Sequence, residues 1–378
     1  MNWFRRTFEI SHTTHKAIVS MEGIRGFAVF LVFLVHYVTL VDPWLTKSSI
    51  TQILSAYVRS IGNIGVDLFF VLSGYLIYGM LIRKKKPFGI YLARRIQRIY
   101  PTFTTVFIIY LLLSVAIPSE SKIPDGWAGL IFVIQNFFLL PGMFNINAII
   151  TVAWSLSYEF FYYLLIPLLI GSLRLRERNW ETRFKLFFFA SIILFAYFAF
   201  CGGHIRLLMF ISGILLFEVI DQEKIRNIPP IGLPALALAI ASVILLDVFE
   251  ASGWWKYALL FIFFFAFCID CFSSNGFANK IFRFSPMRWL GNMSYSYYLI
   301  HGLALKFMFM VLSTLHPPKS TDDWIFWAGL PVAFFVTLIP SAILFIFIEK
   351  PYSLSYKTTP ASAPVIAETS NNTINSDR

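Results

Sequence analysis

The amino-acid sequence predicts an all-α, polytopic integral membrane protein with about ten transmembrane helices, and three observations carry that reading. Of the 378 residues, 58% are apolar, 18% aromatic and only 13% charged, with a mean hydropathy of +0.70, far from the balance of a water-soluble domain. Apolar stretches of roughly 17 to 25 residues, each able to cross ~30 Å of hydrocarbon as a helix, recur along most of the chain. The basic residues are gathered between these stretches. Helices are required because transmembrane β-strands would leave short alternating segments instead of long apolar runs.

Ten spans follow in order: 24–40, 62–82, 99–117, 154–171, 184–200, 205–220, 231–247, 256–272, 289–312 and 325–348. Arg5, Arg6 and Lys16 precede the first. Arg83, Lys84, Lys85, Lys86, Arg94, Arg95 and Arg98 follow the second, and Arg174, Arg176, Arg178, Arg183 and Lys185 follow the fourth. Lys224 and Arg226 follow the sixth, and Lys280, Arg283 and Arg288 the eighth. The positive-inside rule therefore puts both termini and these loops in the cytoplasm. The segment 127–140, WAGLIFVIQNFFLL, is read as partial, re-entrant or interfacial, because a full crossing there would move the basic loop 172–185 outside.

The net charge of +11 is accounted for by this topology, not by a nucleic-acid surface. Residues 1–19 form a cytoplasmic segment too polar for a cleavable signal, 20–352 the membrane domain, and 353–378 a disordered cytoplasmic tail. Cys201, Cys268 and Cys271 lack metal-like partners, so neither a disulfide nor a metal site is expected. No P-loop, dinucleotide fingerprint, HExxH or GxSxG motif is present.

Ionisable groups inside a span are costly and each needs a reason. In SMEGIRGFAVFLVFLVHY, residues 20–37, Arg25 and His36 stand eleven positions apart, about three turns and ~16 Å along one helix face. A neutral histidine suits a general base near neutral pH, but it also suits helix packing, and spacing alone leaves both open. Arg25 by itself reads as an interfacial anchor. Asp67, near the outer end of the second span, is placed to orient an acceptor hydroxyl, to pair with His36, or to pair near the membrane surface. In YLARRIQRIYP, Arg94, Arg95 and Arg98 share a helix face and would converge on phosphate, although topology also explains them.

Glu159, in TVAWSLSYEFFYYLLIP, lies about one turn into an apolar helix, where it could bind a sugar hydroxyl, orient the histidine or share a proton. His301 lies on the Ser- and Tyr-rich ninth span as a second polar site or a packing group. Glu349-Lys350-Pro351 reads as an interfacial stop, with Pro351 terminating the last helix.

Five stretches in order, MEGIRGFAVFLVFLVH, GVDLFFVLSGYLI, YLARRIQRIYP, WSLSYEFFYYLLIP and MSYSYYLIH, together resemble the membrane-bound acyltransferase 3 family over residues 17 to 352. Members of that family move acyl groups onto cell-surface carbohydrates and other acceptors. The resemblance implies that His36 is the catalytic base or a transient acyl carrier and that Arg25 is essential to the active site. It makes Arg95 and Arg98, with Arg94 beside them, the candidates for binding acyl-CoA. Asp67, Glu159 and His301 inherit weaker support, Glu159 as catalytic and the other two as substrate-binding.

By resemblance the reaction is O-acylation, usually acetylation, with acetyl-CoA as co-substrate and no permanently bound cofactor. The acceptor would be a cell-surface polysaccharide, lipopolysaccharide or lipid-linked saccharide at the bacterial inner membrane. Membrane lipid and polysaccharide-assembly proteins are the further partners. Glu22 stands where many relatives carry Asp. The tail has no hydrolase-like domain of the kind fused to some relatives, so transfer would be completed by the membrane domain or a separate partner. A transporter or flippase of glycolipid precursors is the rival reading, and a non-catalytic scaffold a third.

Overall fold

A computed structural model describes residues 2–10, 19–222, 229–249, 251, 253–273 and 276–354. Lys16, Lys224, Arg226 and all of the expected tail beyond residue 354 lie outside the described residues. The described residues form fourteen α-helices and no β-strand. After the short α1 (Asn2–Phe8) come α2 (Val19–Val41), α3 (Ile50–Arg83), α4 (Phe88–Ala116), α5 (Gly126–Phe137), α6 (Trp154–Ser172) and α7 (Trp180–Cys201). Then follow α8 (Leu208–Ile220), α9 (Gly232–Val248), α10 (Trp254–Phe272), α11 (Phe277–Phe282), α12 (Ser285–Asn292), α13 (Ser294–Leu315) and α14 (Trp324–Leu344).

Among the described residues, eight helical segments, containing α2, α3, α4, α6, α7, α10, α13 and α14, are long and apolar enough to cross a membrane. The spans expected at 205–220 and 231–247 fall on shorter helices, α8 with 13 residues and α9 with 17. The two differ in their surroundings: α8 is enclosed, whereas α9 buries only Gly232, Ala235, Ala239 and Val243. Every residue of α8 from Leu208 to Glu218 is buried, as suits a helix apolar all round and enclosed by others. A carboxylate oxygen of Asp270 accepts the Gly232 N–H at 2.8 Å and so caps the start of α9.

The partial segment is α5, twelve residues or ~18 Å long, which is short of a crossing. Its C-terminal Phe137 packs against Tyr100 and Phe107, midway along α4. The chain then returns, and Lys122 reaches both Ala148 O (3.2 Å) and Thr151 Oγ1 (3.1 Å). The connection from α4 to α6 thus begins and ends on one face.

Helix α2 is the hub, packed on α3, α10, α11, α12, α13 and α14. Close approach at glycines makes this possible: a Cβ on Gly26 would stand 2.0 Å from Met287 O, and one on Gly291 would stand 1.7 Å from Glu22 O. The expected last stop is corrected. Phe345–Leu354 continues from α14 as a π-helix past Pro351, and Glu349 within it is wholly buried, not interfacial. The next residue, Lys350, turns outward onto Arg6 O and Thr7 O at the end of α1.

Candidate active site

The three helical turns between Arg25 and His36 carry α2 past two separate cavities. The first, about 150 Å³, lies toward the basic face and is lined by Arg25, Arg95, Arg98, Glu159, Tyr163 and Ser294 among others. The second, about 810 Å³, lies toward the opposite face. Its walls are mostly apolar, from α2, α4, α13 and α14, with His36 among them and Glu120, Lys122 and Lys306 as its charged groups.

Each group in the small cavity is held in place. Arg25 donates from Nη2 to Ser294 Oγ at 3.0 Å. A carboxylate oxygen of Glu159 accepts from Tyr163 Oη (2.6 Å) and Ser73 Oγ (3.3 Å). Arg98 pairs with Glu349 at 2.7 Å, and the other oxygen of Glu349 accepts from the N–H (3.0 Å) and Oγ (2.6 Å) of Ser296. Arg95 is held differently, with its guanidinium 5.5 Å from the Tyr163 ring and 5.7 Å from that of Tyr91. Arg95 Nε is buried and has no hydrogen-bond partner among the described residues. It is therefore a donor in want of an acceptor, whereas Arg98 is committed to Glu349. Arg94 is half-buried on the same helix and does not line the cavity.

A short polar barrier separates the two cavities. The Tyr298 hydroxyl donates to Val152 O at 3.0 Å and shares a 2.6 Å hydrogen bond with Ser155 Oγ. Tyr298 and Ser155 line the small cavity, while Val152, Leu299 and Ile300 line the large one.

Asp67 stands apart from both cavities. It is wholly buried and paired with Arg206 at 3.2 Å, so of the roles open to it the structure gives pairing, with an arginine and not with His36. Arg206 is also stacked over Trp154 and Tyr257. His301 does meet His36: the ring centres are 5.0 Å apart at an interplanar angle of 67°. Glu159 shares the small cavity with Arg25, across the barrier from His36.

Sequence reasoning missed Glu349 and the roles of Ser294, Ser155 and Tyr298. The last three lie inside stretches already singled out, but hydroxyls in Ser- and Tyr-rich helices announce no particular partner. Glu349 sits beside Lys350 and Pro351, which is how a helix end looks.

The family model described as Acyltransferase domain, Acyl_transf_3, matches residues 18–346. The chain belongs to this acyltransferase family. The matched region contains Arg25 and His36, the ionisable α2 residues of the two cavities, and stops three residues short of Glu349. Among the acyltransferase relatives, the "Putative O-acetyltransferase" SACOL0978 of Staphylococcus aureus (strain COL) is 22% identical over 373 residues, covering 89% of this chain and 57% of its own length. The peptidoglycan O-acetyltransferase OatA of Listeria monocytogenes is 25% identical over 376 residues, covering 89% and 56%. The chain thus spans a little over half the length of these relatives. No solved structure matches it.

Proposed function

We propose that the protein is a membrane O-acyltransferase that takes an acyl group, most simply acetyl, from acyl-CoA and passes it to a hydroxyl of a saccharide on the opposite side. The observation that carries this reading is the pair of cavities on one helix, with Arg25 in the charged one and His36 in the apolar one. In it the basic face is cytoplasmic, both termini lie on that side, and the membrane is the bacterial inner membrane.

The small cavity, at about 150 Å³, has room for the thioester end of the donor and not for a whole nucleotide, since drug-sized ligands occupy roughly 300–1,000 Å³. Arg95 supplies an unused buried N–H for an anionic or carbonyl oxygen, with Arg94 adding positive charge outside the cavity. Arg25, held by Ser294, is aimed at the thioester carbonyl, and Glu159 balances the guanidiniums. Donor and acceptor meet when the Tyr298 barrier opens.

His36 then takes the proton of the acceptor hydroxyl as its oxygen attacks the acyl carbon. The C–O bond forms, the C–S bond breaks, and the proton passes from His36 to the departing sulfur. In the covalent variant His36 carries the acyl group before the acceptor takes it. Apolar walls around His36 favour an acceptor attached to lipid. Mass comparison of surface glycans tests the reading in a deletion strain complemented with wild type or His36→Ala. Loss of an acyl mass with His36→Ala supports it, and intracellular build-up of unmodified precursor would instead indicate a transporter.

A further inference from the structure

His301 lies directly behind His36 and is fully buried, while His36 is half-buried in the wall of the large cavity. His301 hydrogen-bonds through Nδ1 to Tyr297 O at 2.8 Å, the carbonyl one turn back on α13. A carbonyl only accepts, so Nδ1 carries the hydrogen and the lone pair of the neutral ring is on Nε2. That Nε2 is buried with no hydrogen-bond partner among the described residues. The ring is also held in place, stacked on Tyr297 at 5.3 Å and 11°, with the Tyr297 hydroxyl sharing a 2.7 Å hydrogen bond with Thr337.

A buried acceptor without a donor is a defect that folded proteins avoid unless the group has work to do. The neighbouring ring with an N–H to give is His36, 5.0 Å away centre to centre. Imidazoles at that spacing bring two nitrogens into hydrogen-bonding range by a small rotation of the freer ring, and His36 is the freer one.

We infer that His301 is the positioning residue for His36. Its Nε2 accepts the N–H of one His36 nitrogen and so turns the lone pair of the other toward the large cavity. The inference rests on the reading of His36 as the base. In the reaction the acceptor proton goes to the cavity-facing nitrogen of His36, and the N–H···N bond to His301 strengthens as His36 becomes positive. The same proton then leaves with the sulfur, and His301 keeps its own proton throughout. A carboxylate in this place would do the same work, but as a charge buried inside the membrane it would be far more costly than a neutral ring.

Three substitutions separate positioning from packing. The amide of His301→Gln falls near the Nε2 position and restores an acceptor there. That of His301→Asn falls near Nδ1, and His301→Leu keeps bulk alone. Initial rates are measured in membrane vesicles with radiolabelled acetyl-CoA and the vesicles' own acceptor, normalised to folded protein by size-exclusion chromatography. We expect His301→Asn and His301→Leu to lose at least about tenfold in kcat with an unchanged KM for acetyl-CoA, and His301→Gln to recover most of it. Equal losses for Gln and Asn, or losses that vanish on normalisation, would overturn the inference. His36→Ala is the reference: if it stays active, the base reading itself fails; if it is inactive while His301→Asn keeps wild-type kcat, only the positioning role fails.

Discussion

Arg98 of α4 and Glu349 of the terminal π-helix form a 2.7 Å ion pair across 251 positions of sequence, and Glu349 is wholly buried. Removing one partner leaves the other charge stranded, which costs roughly 3–5 kcal/mol for a buried pair. Glu349→Ala should therefore sharply lower the thermal stability of the detergent-solubilised protein. Glu349→Gln, which can still accept from Ser296, should lower it less. In a double-mutant cycle, Arg98→Ala with Glu349→Ala should cost clearly less than the sum of the single changes. Additive losses would mean that the pair contributes no coupling.

The two arginines of YLARRIQRIYP should then part company. Arg98 is occupied by Glu349, whereas Arg95 is stacked on Tyr163 and Tyr91 with a free Nε. Lysine supplies charge without the planar fork or the aromatic stacking. Arg95→Lys should raise KM for acetyl-CoA about tenfold, a loss of ~1.4 kcal/mol, with normal protein yield. Arg98→Lys should instead reduce the yield of folded protein. The reverse pattern would exchange their roles.

The helical architecture was legible in the sequence because hydrocarbon demands long apolar runs, and the shortness of α5, twelve residues, agrees with the partial segment expected from the spacing of the basic loops. Less visible was what protein contacts alone decide. Helix α8, only thirteen residues long, is enclosed by its neighbours, and α3 extends to Ile50, about three turns before the expected start at residue 62, where Ser49 caps it. Arg25 and His36 were found because charge in an apolar helix stands out. Their assignment to different cavities was not legible, since it depends on Tyr298, Ser155 and Val152 meeting across helices. Asp67 stood out equally, but nothing local pointed to Arg206 as its partner, 139 positions away.

Helix packing around α2 offers a structural test close to the site. A methyl group on Gly26 would collide with Met287 backbone oxygen at 2.0 Å, and backbone cannot move aside as a flexible side chain can. Gly26→Ala should cost at least ~1–3 kcal/mol and lower the melting temperature. Gly171→Ala in α6, where a Cβ meets nothing within 4 Å, is the control and should be neutral or slightly stabilising. Similar effects from both would remove the argument for close packing of α2 on α12.

Glu120 and Lys306 form an exposed ion pair in the wall of the large cavity. Hydrogen bonding to Lys306 holds the Glu120 carboxyl below the usual glutamate range. With the folded-state value depressed, any contribution of the pair is present above the ordinary glutamate pKa and is lost as pH falls through the lowered value. Solvent screens so exposed a pair, so Lys306→Ala should leave the melting temperature unchanged at neutral pH. A large drop would show that the pair closes the cavity mouth as a structural clasp.

If the Tyr298 barrier keeps donor and water apart until an acceptor arrives, weakening it should uncouple thioester cleavage from transfer. Tyr298→Phe removes the hydroxyl that bonds Val152 O and Ser155 Oγ while keeping the ring, so the fold should survive. Thiol release from acetyl-CoA and label incorporated into glycan would be measured in the same vesicles. The ratio of hydrolysis to transfer should rise several-fold in Tyr298→Phe and, less, in Ser155→Ala, which keeps the Tyr298 bond to Val152. An unchanged ratio, with both rates falling together, would mean that the barrier positions substrate and does not separate the cavities.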